Sequence, residues 1–171
     1  MANNAGGFFS FGPTFDSTKF VRAAIEGAIN GFYDINVETA EAVDGKLAGR
    51  FAAINEDGQV VLAGEKAKGA VGLIREDLKD MINASNKASF YMLGTGGEYH
   101  VAESRLGAEI DTFTIGGDIT TDANGQIVPA SDGDKVVGTV VSIGEFRMGN
   151  MYEWAGTEAN GGKFLGFIMH V

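Results

Sequence analysis

Two histidines are the side chains of this sequence best suited to proton transfer or metal binding. His100 follows the glycine-rich stretch GTGGEY, and His170 alternates with apolar residues in the last segment. Neither lies in an H-x-x-x-H or comparable spacing that would bring two ligands to one metal ion. His170 is typical of a structural histidine, and His100 could act as a base only if folding brought it to an Asp or Glu in a concave site.

Three other patterns contain only part of a chemical motif. GTGG at 94–97 is not followed by the Gly-Lys-Ser/Thr of a phosphate loop, so it predicts a turn between strands. SDGDK brings Asp132 and Asp134 together but lacks the EF-hand loop. Neighbouring acids such as Glu56 and Asp57 come with no sign of a cleft, and no G-x-S-x-G elbow is present. We therefore predict that the protein is not an enzyme and uses no metal or other cofactor.

Aromatic residues are concentrated in two segments that predict contacts with partners. In the first fifteen residues, four phenylalanines are set among glycines and a proline, without helical or strand periodicity: Phe8, Phe9, Phe11 and Phe15. The segment FRMGNMYEWAG adds Met151, Tyr152 and Trp154. Either set can pack on the protein's own core, or it can form an interface, because aromatic and Met side chains bury large areas at contact centres. We predict both sets as contacts with a larger partner or with another subunit.

The elements that must position these residues are mainly short strands. DSTKFVRAAIEGAINGFYD, from Asp16, has apolar residues at helical spacing and predicts one helix, and REDLKDMINAS predicts a shorter second one. Further β-rich runs are KASFYMLGTG, AEIDTFTIGG, KVVGTVVSIGEF and KFLGFIMHV. The last of these is nearly all apolar, so it predicts an interior strand or one covered by a partner. We expect residues 1–45 to form an arm and a helix, and residues 46–171 to form a β-rich domain.

One stretch of the sequence occurs twice, at an interval of about 67 residues. DGQVVLAGEKAKGAVGLI begins at Asp57, and NGQIVPASDGDKVVGTVV begins at Asn124. DGQ aligns with NGQ without a gap, and a single deletion later aligns Val71-Gly72 with Val137-Gly138. Each copy predicts a hairpin with an Asx-Gly turn, of type I′ at Asn124-Gly125. Because one hairpin cannot bury its apolar face alone, we predict a small antiparallel β-barrel or sandwich built from the two units.

The overall composition restricts the partners. The chain has 23 acidic and 13 basic residues, a net charge of -10 and no cysteine. This charge opposes binding to nucleic acid or anionic lipid and favours a basic protein surface. The apolar runs are too short for a membrane span, and MANNAGGFFSFGP does not have the pattern of a secretory signal. We therefore expect a soluble protein without nucleic-acid or membrane partners.

The repeated blocks resemble the capsid decoration, or cement, proteins of tailed bacteriophages. In the second block the matching positions, followed by VVGTVVS, are Gly117, Asp118, Asp122, Gly125, Pro129 and Ala130. GRFAAINEDGQVVLAGEKAKGAVGLI is similar to the family's first block, and KFLGFIMHV is similar to its closing strand. The resemblance covers about residues 46–171. REDLKDMINASNKAS and RMGNMYEWAGTEANGG depart from the family's pattern, as does the long N-terminal region.

This resemblance implies a structural virion protein on the outer surface of an icosahedral phage head. Such a protein is made in the host cytoplasm, binds the major capsid protein where capsomers meet and stabilises the shell. The family often forms trimers, so self-association as a trimer is expected. The alternative is a carbohydrate- or host-binding β-module of a head fibre or tail, which would require Tyr152 and Trp154 to be exposed for stacking on a sugar.

Overall fold

The computed structural model describes residues 21–23, 30–80, 87–145 and 162–170. These residues contain one short α-helix, α1 (Val37–Glu41), and four 3-10 turns, at Glu65–Ala67, Leu78–Asp80, Glu103–Arg105 and Ile110–Thr112. They also contain eleven strands: β1 (Val21–Ala23), β2 (Asn30–Asp34), β3 (Phe51–Ile54), β4 (Val60–Leu62), β5 (Gly72–Ile74), β6 (Lys87–Met92), β7 (Glu98–Ala102), β8 (Asp118–Thr121), β9 (Ile127–Pro129), β10 (Gly138–Glu145) and β11 (Lys163–Met169).

The strands form two antiparallel sheets. The first sheet has the order β2-β6-β5-β3-β4, and the second has the order β1-β7-β11-β10-β8-β9. The predicted mainly β architecture is therefore confirmed. The sheets are not closed into barrels, although one parallel bridge between Ile35 and Val60 joins the two edges of the first sheet at one end. Their face-to-face packing is compatible with a sandwich.

The predicted N-terminal helix is wrong wherever the structure describes that segment. Val21–Ala23 is strand β1, which pairs with β7, and Asn30–Asp34 is strand β2, which pairs with β6. Helical spacing of Val and Ile residues does not exclude a strand, because β-branched side chains also favour a pleated surface next to paired strands. Of the second predicted helix, the described part forms only a 3-10 turn at Leu78–Asp80.

Two predictions about strands have opposite outcomes. AEIDTFTIGG is not a strand, because it contains a 3-10 turn at Ile110–Thr112 followed by irregular backbone. KFLGFIMHV does form an interior strand, since β11 pairs with β7 on one side and β10 on the other.

GTGG at 94–97 lies between β6 and β7, so the predicted turn is also confirmed. His100 lies within β7 and not on that turn.

The sequence repeat is also a structural repeat. When β1 is left out, the two sheets have the same strand order. β2, β6, β5, β3 and β4 of the first sheet correspond to β7, β11, β10, β8 and β9 of the second. We call residues 30–92 the first unit and residues 98–169 the second unit. The matched register pairs include Ala52↔Leu62 with Ile119↔Pro129, and Ala52↔Gly72 with Ile119↔Gly138.

The two hairpin turns have the same hydrogen bonds. A side-chain Oδ1 atom, from Asn55 or Asp122, accepts from two backbone N–H groups of its own turn. The distances are 3.1 Å from Asp57 and 2.8 Å from Gln59 in the first turn, and 2.8 Å from both Asn124 and Gln126 in the second. Only the glycine has a positive φ, 77° at Gly58 and 71° at Gly125. The predicted type I′ turn is therefore wrong, because it requires positive φ at Asn124 as well.

The two units pack head to tail. We call the face of each sheet that carries Phe90 or its counterpart Phe167 the inner face, and the opposite face the outer face. On the inner face of the first sheet, Ile74 and Phe90 pack with Ala40 of α1 and with Leu47. On its outer face, Phe51, Leu73 and Tyr91 join the larger core that contains the second sheet. The second sheet meets them with Phe167, the counterpart of Phe90, whose ring centroid lies 6.4 Å from that of Phe51. The outer face of one unit thus contacts the inner face of the other.

One glycine in each unit is required by close strand approach. Gly72 in β5 lies against the Tyr91 carbonyl of β6, and Gly138 in β10 lies against the Ile168 carbonyl of β11. A Cβ atom at either position would overlap that oxygen. This explains the Val-Gly pair that ends both copies of the sequence repeat.

Candidate functional site

The tip of the second hairpin is docked onto the first unit. The Phe51 N–H donates to the Gly125 carbonyl at 2.7 Å, and Arg50 Nη1 donates to the Asn124 carbonyl at 2.9 Å. Gly125 is buried by this contact, and a Cβ atom there would lie 2.7 Å from the Phe51 oxygen. Burial lowers the pKa of Arg50, an effect that Asp122 opposes. The tip is therefore held by two backbone carbonyls that point at an arginine and a strand N–H.

A threonine below this tip completes the contact. Thr121 Oγ1 donates to the Gly64 carbonyl at 2.7 Å and accepts from the Ala67 N–H at 2.9 Å. Lys66 in the same 3-10 turn pairs with Asp134 at 3.2 Å. The Ser131 N–H and Lys66 hold the pKa of Asp134 below its usual value. The acidic SDGDK segment thus takes part in contacts between the units.

The equivalent tip of the first hairpin is exposed. Glu56, Asp57 and Gly58 are all exposed, and no atom lies within 4 Å of a Cβ built on Gly58. Ile54, the counterpart of Thr121, is 38% exposed. Within the described ranges no hydrogen bond reaches the Gly58 carbonyl. The molecule therefore contains one docked copy and one free copy of the same turn.

A buried ion pair connects the units near the docked tip. Asp77 of the first unit accepts two hydrogen bonds from Arg105 of the second, at 2.8 and 3.1 Å. It also accepts from the N–H groups of Leu47 and Ala48, both at 3.0 Å. A depression of about 420 Å³ beside the pair is lined in part by Lys46 and Lys79. Since the Asp77 oxygens already accept four hydrogen bonds, this carboxylate ties the units together and is not presented to a ligand.

Folding does bring His100 to a carboxylate. Its Nε2 atom lies 2.9 Å from Glu98 Oε1, which also accepts from Ser142 Oγ at 2.8 Å, and its ring stacks on Phe164. These side chains lie across three strands on the outer face of the second sheet, where Gly166 leaves room for them. Ser142 bonds to the carboxylate and not to the imidazole, so this arrangement does not form the serine–histidine pair of an activated nucleophile.

His170 has a structural contact, as predicted from its position. Its Nε2 atom lies 2.9 Å from Thr139 Oγ1, which also donates to Asp118 at 3.0 Å. Among the residues that the structure describes, no group of three or more His, Asp or Glu side chains is arranged to hold a metal ion. In the same part of the chain, no helix is long and apolar enough to cross a bilayer.

The predicted interface residues lie outside the described residues. This applies to all seven: Phe8, Phe9, Phe11, Phe15, Met151, Tyr152 and Trp154. Their role as contacts stays a prediction, and so does the carbohydrate-binding alternative that depends on Tyr152 and Trp154. Sequence reasoning missed the side chains that dock the second hairpin, Arg50 of the first unit and Thr121 of the hairpin itself. The sequence repeat gives no sign of the role of Arg50, which aligns with Gly117. It does show that Thr121 stands where the first copy has Ile54.

Comparison with known proteins gives no family assignment, since no protein-family model and no curated protein matches the chain.

Proposed function

We propose that this protein is a structural component of a phage virion that binds the outer surface of an icosahedral head at capsomer junctions and stabilises it. The observation that carries the proposal is the repeat. The two sequence blocks that resemble capsid decoration proteins form three matched strands each, β3–β5 and β8–β10, and their hairpin turns have the same hydrogen bonds.

The surface of the protein suits attachment to a larger assembly. The net charge of -10 favours a basic partner surface, here the major capsid protein. Three apolar side chains on strands of the second sheet are exposed: Val141, Ile143 and Ile168. We also propose that the protein self-associates, as a trimer, in the host cytoplasm before attachment.

Cosedimentation with heads tests this function. Purified protein is mixed with heads that lack a decoration protein, and the heads are pelleted. We expect the protein to pellet with the heads at a saturating, integral ratio to the capsid protein, and to raise the temperature at which the heads disrupt. Protein that stays in the supernatant at all concentrations would overturn the proposal. Sedimentation equilibrium of the free protein tests the trimer, which has three times the chain mass of 17.9 kDa.

A truncation tests the predicted arm. Deletion of residues 1–15 removes Phe8, Phe9, Phe11 and Phe15, and we expect a folded protein that no longer pellets with heads. The matched control replaces the four phenylalanines with leucine, which keeps apolar anchors and should retain most of the binding. Full attachment of the truncated protein would show that the arm is not the anchor.

A further inference from the structure

We infer that the free tip of the first hairpin, residues 55–59 with Ile54 below it, is a docking element for an arginine-bearing strand of the shell protein. The inference rests on the proposed function for the identity of the partner. Its physical basis is internal to the molecule, because the same tip is seen docked in the second unit.

The two hairpin tips present the same backbone carbonyl groups. The Asn55 and Asp122 side chains hold the two turns with matching bonds, and Gly58 and Gly125 share a left-handed φ. Consequently the carbonyls of Asp57 and Gly58 have the same relation to their hairpin as those of Asn124 and Gly125. A rigid turn with fixed carbonyls is preorganised, so little conformational entropy is lost when a partner binds it.

A docked tip needs two hydrogen-bond donors for its carbonyls. In the second unit these donors are the guanidinium of Arg50 and the N–H of Phe51, at 2.9 and 2.7 Å. In the first unit the corresponding carbonyls lie on an exposed turn that projects away from its neighbours. The chemistry that fits them is again an arginine beside a strand N–H, and a charged donor makes the stronger hydrogen bond.

The two tips differ in their side chains, and these differences define the partner further. Glu56 and Asp57 are exposed acids, whereas the second tip has Ala123 and Asn124 there. The free tip therefore favours a basic surface more strongly than the docked one. Ile54 replaces Thr121, so the partner should offer an apolar side chain where the docked tip meets the carbonyl of Gly64.

At the two matching strand starts that the structure describes, a second copy of this chain does not offer that surface. Its Arg50 and Phe51 are already occupied by its own second hairpin. The equivalent strand start in the second unit has Gly117 and Asp118, which supply no cation and would repel Asp57. We therefore commit to a different protein as the partner, with an arginine at an accessible strand edge.

A pair of matched substitutions tests the inference. Ile54→Asp places a charge in the expected contact, and Ile115→Asp places one on an apolar side chain that is 69% exposed elsewhere. We expect Ile54→Asp to weaken binding to heads by at least about ten-fold and Ile115→Asp to have no effect. Equal thermal melting of the two variants checks that both are folded. Equal binding by both would overturn the docking role of the tip and leave the proposed function standing.

Photo-crosslinking gives a second measurement that does not depend on stability. A benzoylphenylalanine at Glu56 should crosslink on the head to a shell-protein peptide that contains an arginine, and the same group at the exposed Glu109 should not. Crosslinking from position 109 alone would overturn the inference. If the unmodified protein does not bind heads at all, the proposed function fails as well, and with it the identity of the partner.

Discussion

At the scale of the residue, the core between the sheets contains a tyrosine that is costly to bury. Tyr99 is fully buried, its ring centroid lies 4.8 Å from that of Tyr91, and its hydroxyl has no hydrogen-bond partner among the described residues. A buried hydroxyl without a partner has lost its water contacts and gained nothing in return. Burial raises the pKa of Tyr99 to about 12 for the same reason.

Replacement of Tyr99 by phenylalanine should stabilise the protein by about 1 kcal/mol at neutral pH, because it removes the unpaired hydroxyl. The pKa of Tyr99 is about 12 in the folded state, above its ordinary value of 10.0. The unfolded chain therefore loses this proton first, and stability falls as pH rises from about 10 to about 12. Tyr99→Phe should reduce that fall in urea unfolding measurements.

Tyr33→Phe is the matched control, since Tyr33 is 37% exposed. It should leave the stability at neutral pH unchanged. A Tyr99→Phe variant that is less stable than the wild type would show that the hydroxyl has a partner outside the described residues.

Single residues also show how far the sequence can predict a site. The Asx-Gly-Gln pattern predicted the two hairpins because the glycine must have positive φ. The structure adds a role for the last residue of the pattern: Gln126 donates to the carbonyl of Leu106, and Gln59 accepts from Asn36. The docking of Arg50 on Asn124 could not be predicted, since it joins residues from different units and has no local periodicity.

At the scale of the element, the two hairpins allow a docked turn to be compared with an exposed one. Their turns share hydrogen bonds and backbone angles, but Gly125 is buried against Phe51 and Gly58 is exposed. We therefore expect a difference in their response to the same glycine substitution to come mainly from docking. This makes the first hairpin an internal reference for the second.

Alanine at each of the two turn glycines should separate these effects. Gly58→Ala should cost about 1 kcal/mol, the penalty of placing a Cβ atom at positive φ. Gly125→Ala should cost at least about 2 kcal/mol, because its Cβ atom also displaces Phe51 and weakens that hydrogen bond. Chemical unfolding of both variants measures the difference. Equal losses would show that the docked tip contributes nothing to stability.

The elements that the sequence predicted poorly are the ones whose structure depends on distant partners. Val21–Ala23 becomes a strand because β7 is available beside it, although the residues around it have helical spacing. β7 itself, EYHVA, is too short to show a clear alternation. AEIDTFTIGG has strand-like composition but passes through a 3-10 turn whose Ile110 joins the main core.

At the scale of the whole molecule, the largest core belongs to both units. Phe51, Leu73 and Tyr91 of the first unit pack with Phe167 and Leu165 of the second. The buried Asp77–Arg105 pair joins the units at a further point. Neither unit can therefore lose its structure without exposing apolar surface of the other.

We expect the two units to unfold in one transition. Far-ultraviolet circular dichroism, which follows the strands, and tyrosine fluorescence should give the same midpoint, and the calorimetric and van't Hoff enthalpies should agree. Phe51→Asp should lower that midpoint without splitting the transition. Two resolved transitions would show that the units fold independently.

The architecture was the most predictable property of the molecule, and the repeat is the reason. Alternating short runs and Asx-Gly turns predicted antiparallel β structure in two similar units, and this is confirmed. Their head-to-tail packing could not be derived, since it depends on which face of each sheet carries the larger side chains after folding.

The head-to-tail packing has a consequence for polymerisation. A lone unit with both faces apolar would add further units without limit, because a heterologous contact that does not close by rotation generates a fibre. Here α1 covers the free inner face of the first unit. On the free outer face of the second, Asp118 and Thr139 replace the aromatic and leucine side chains of Phe51 and Leu73. Among the described residues, these two polar positions disfavour the addition of a third unit, so we expect the head-to-tail contact to end after two units.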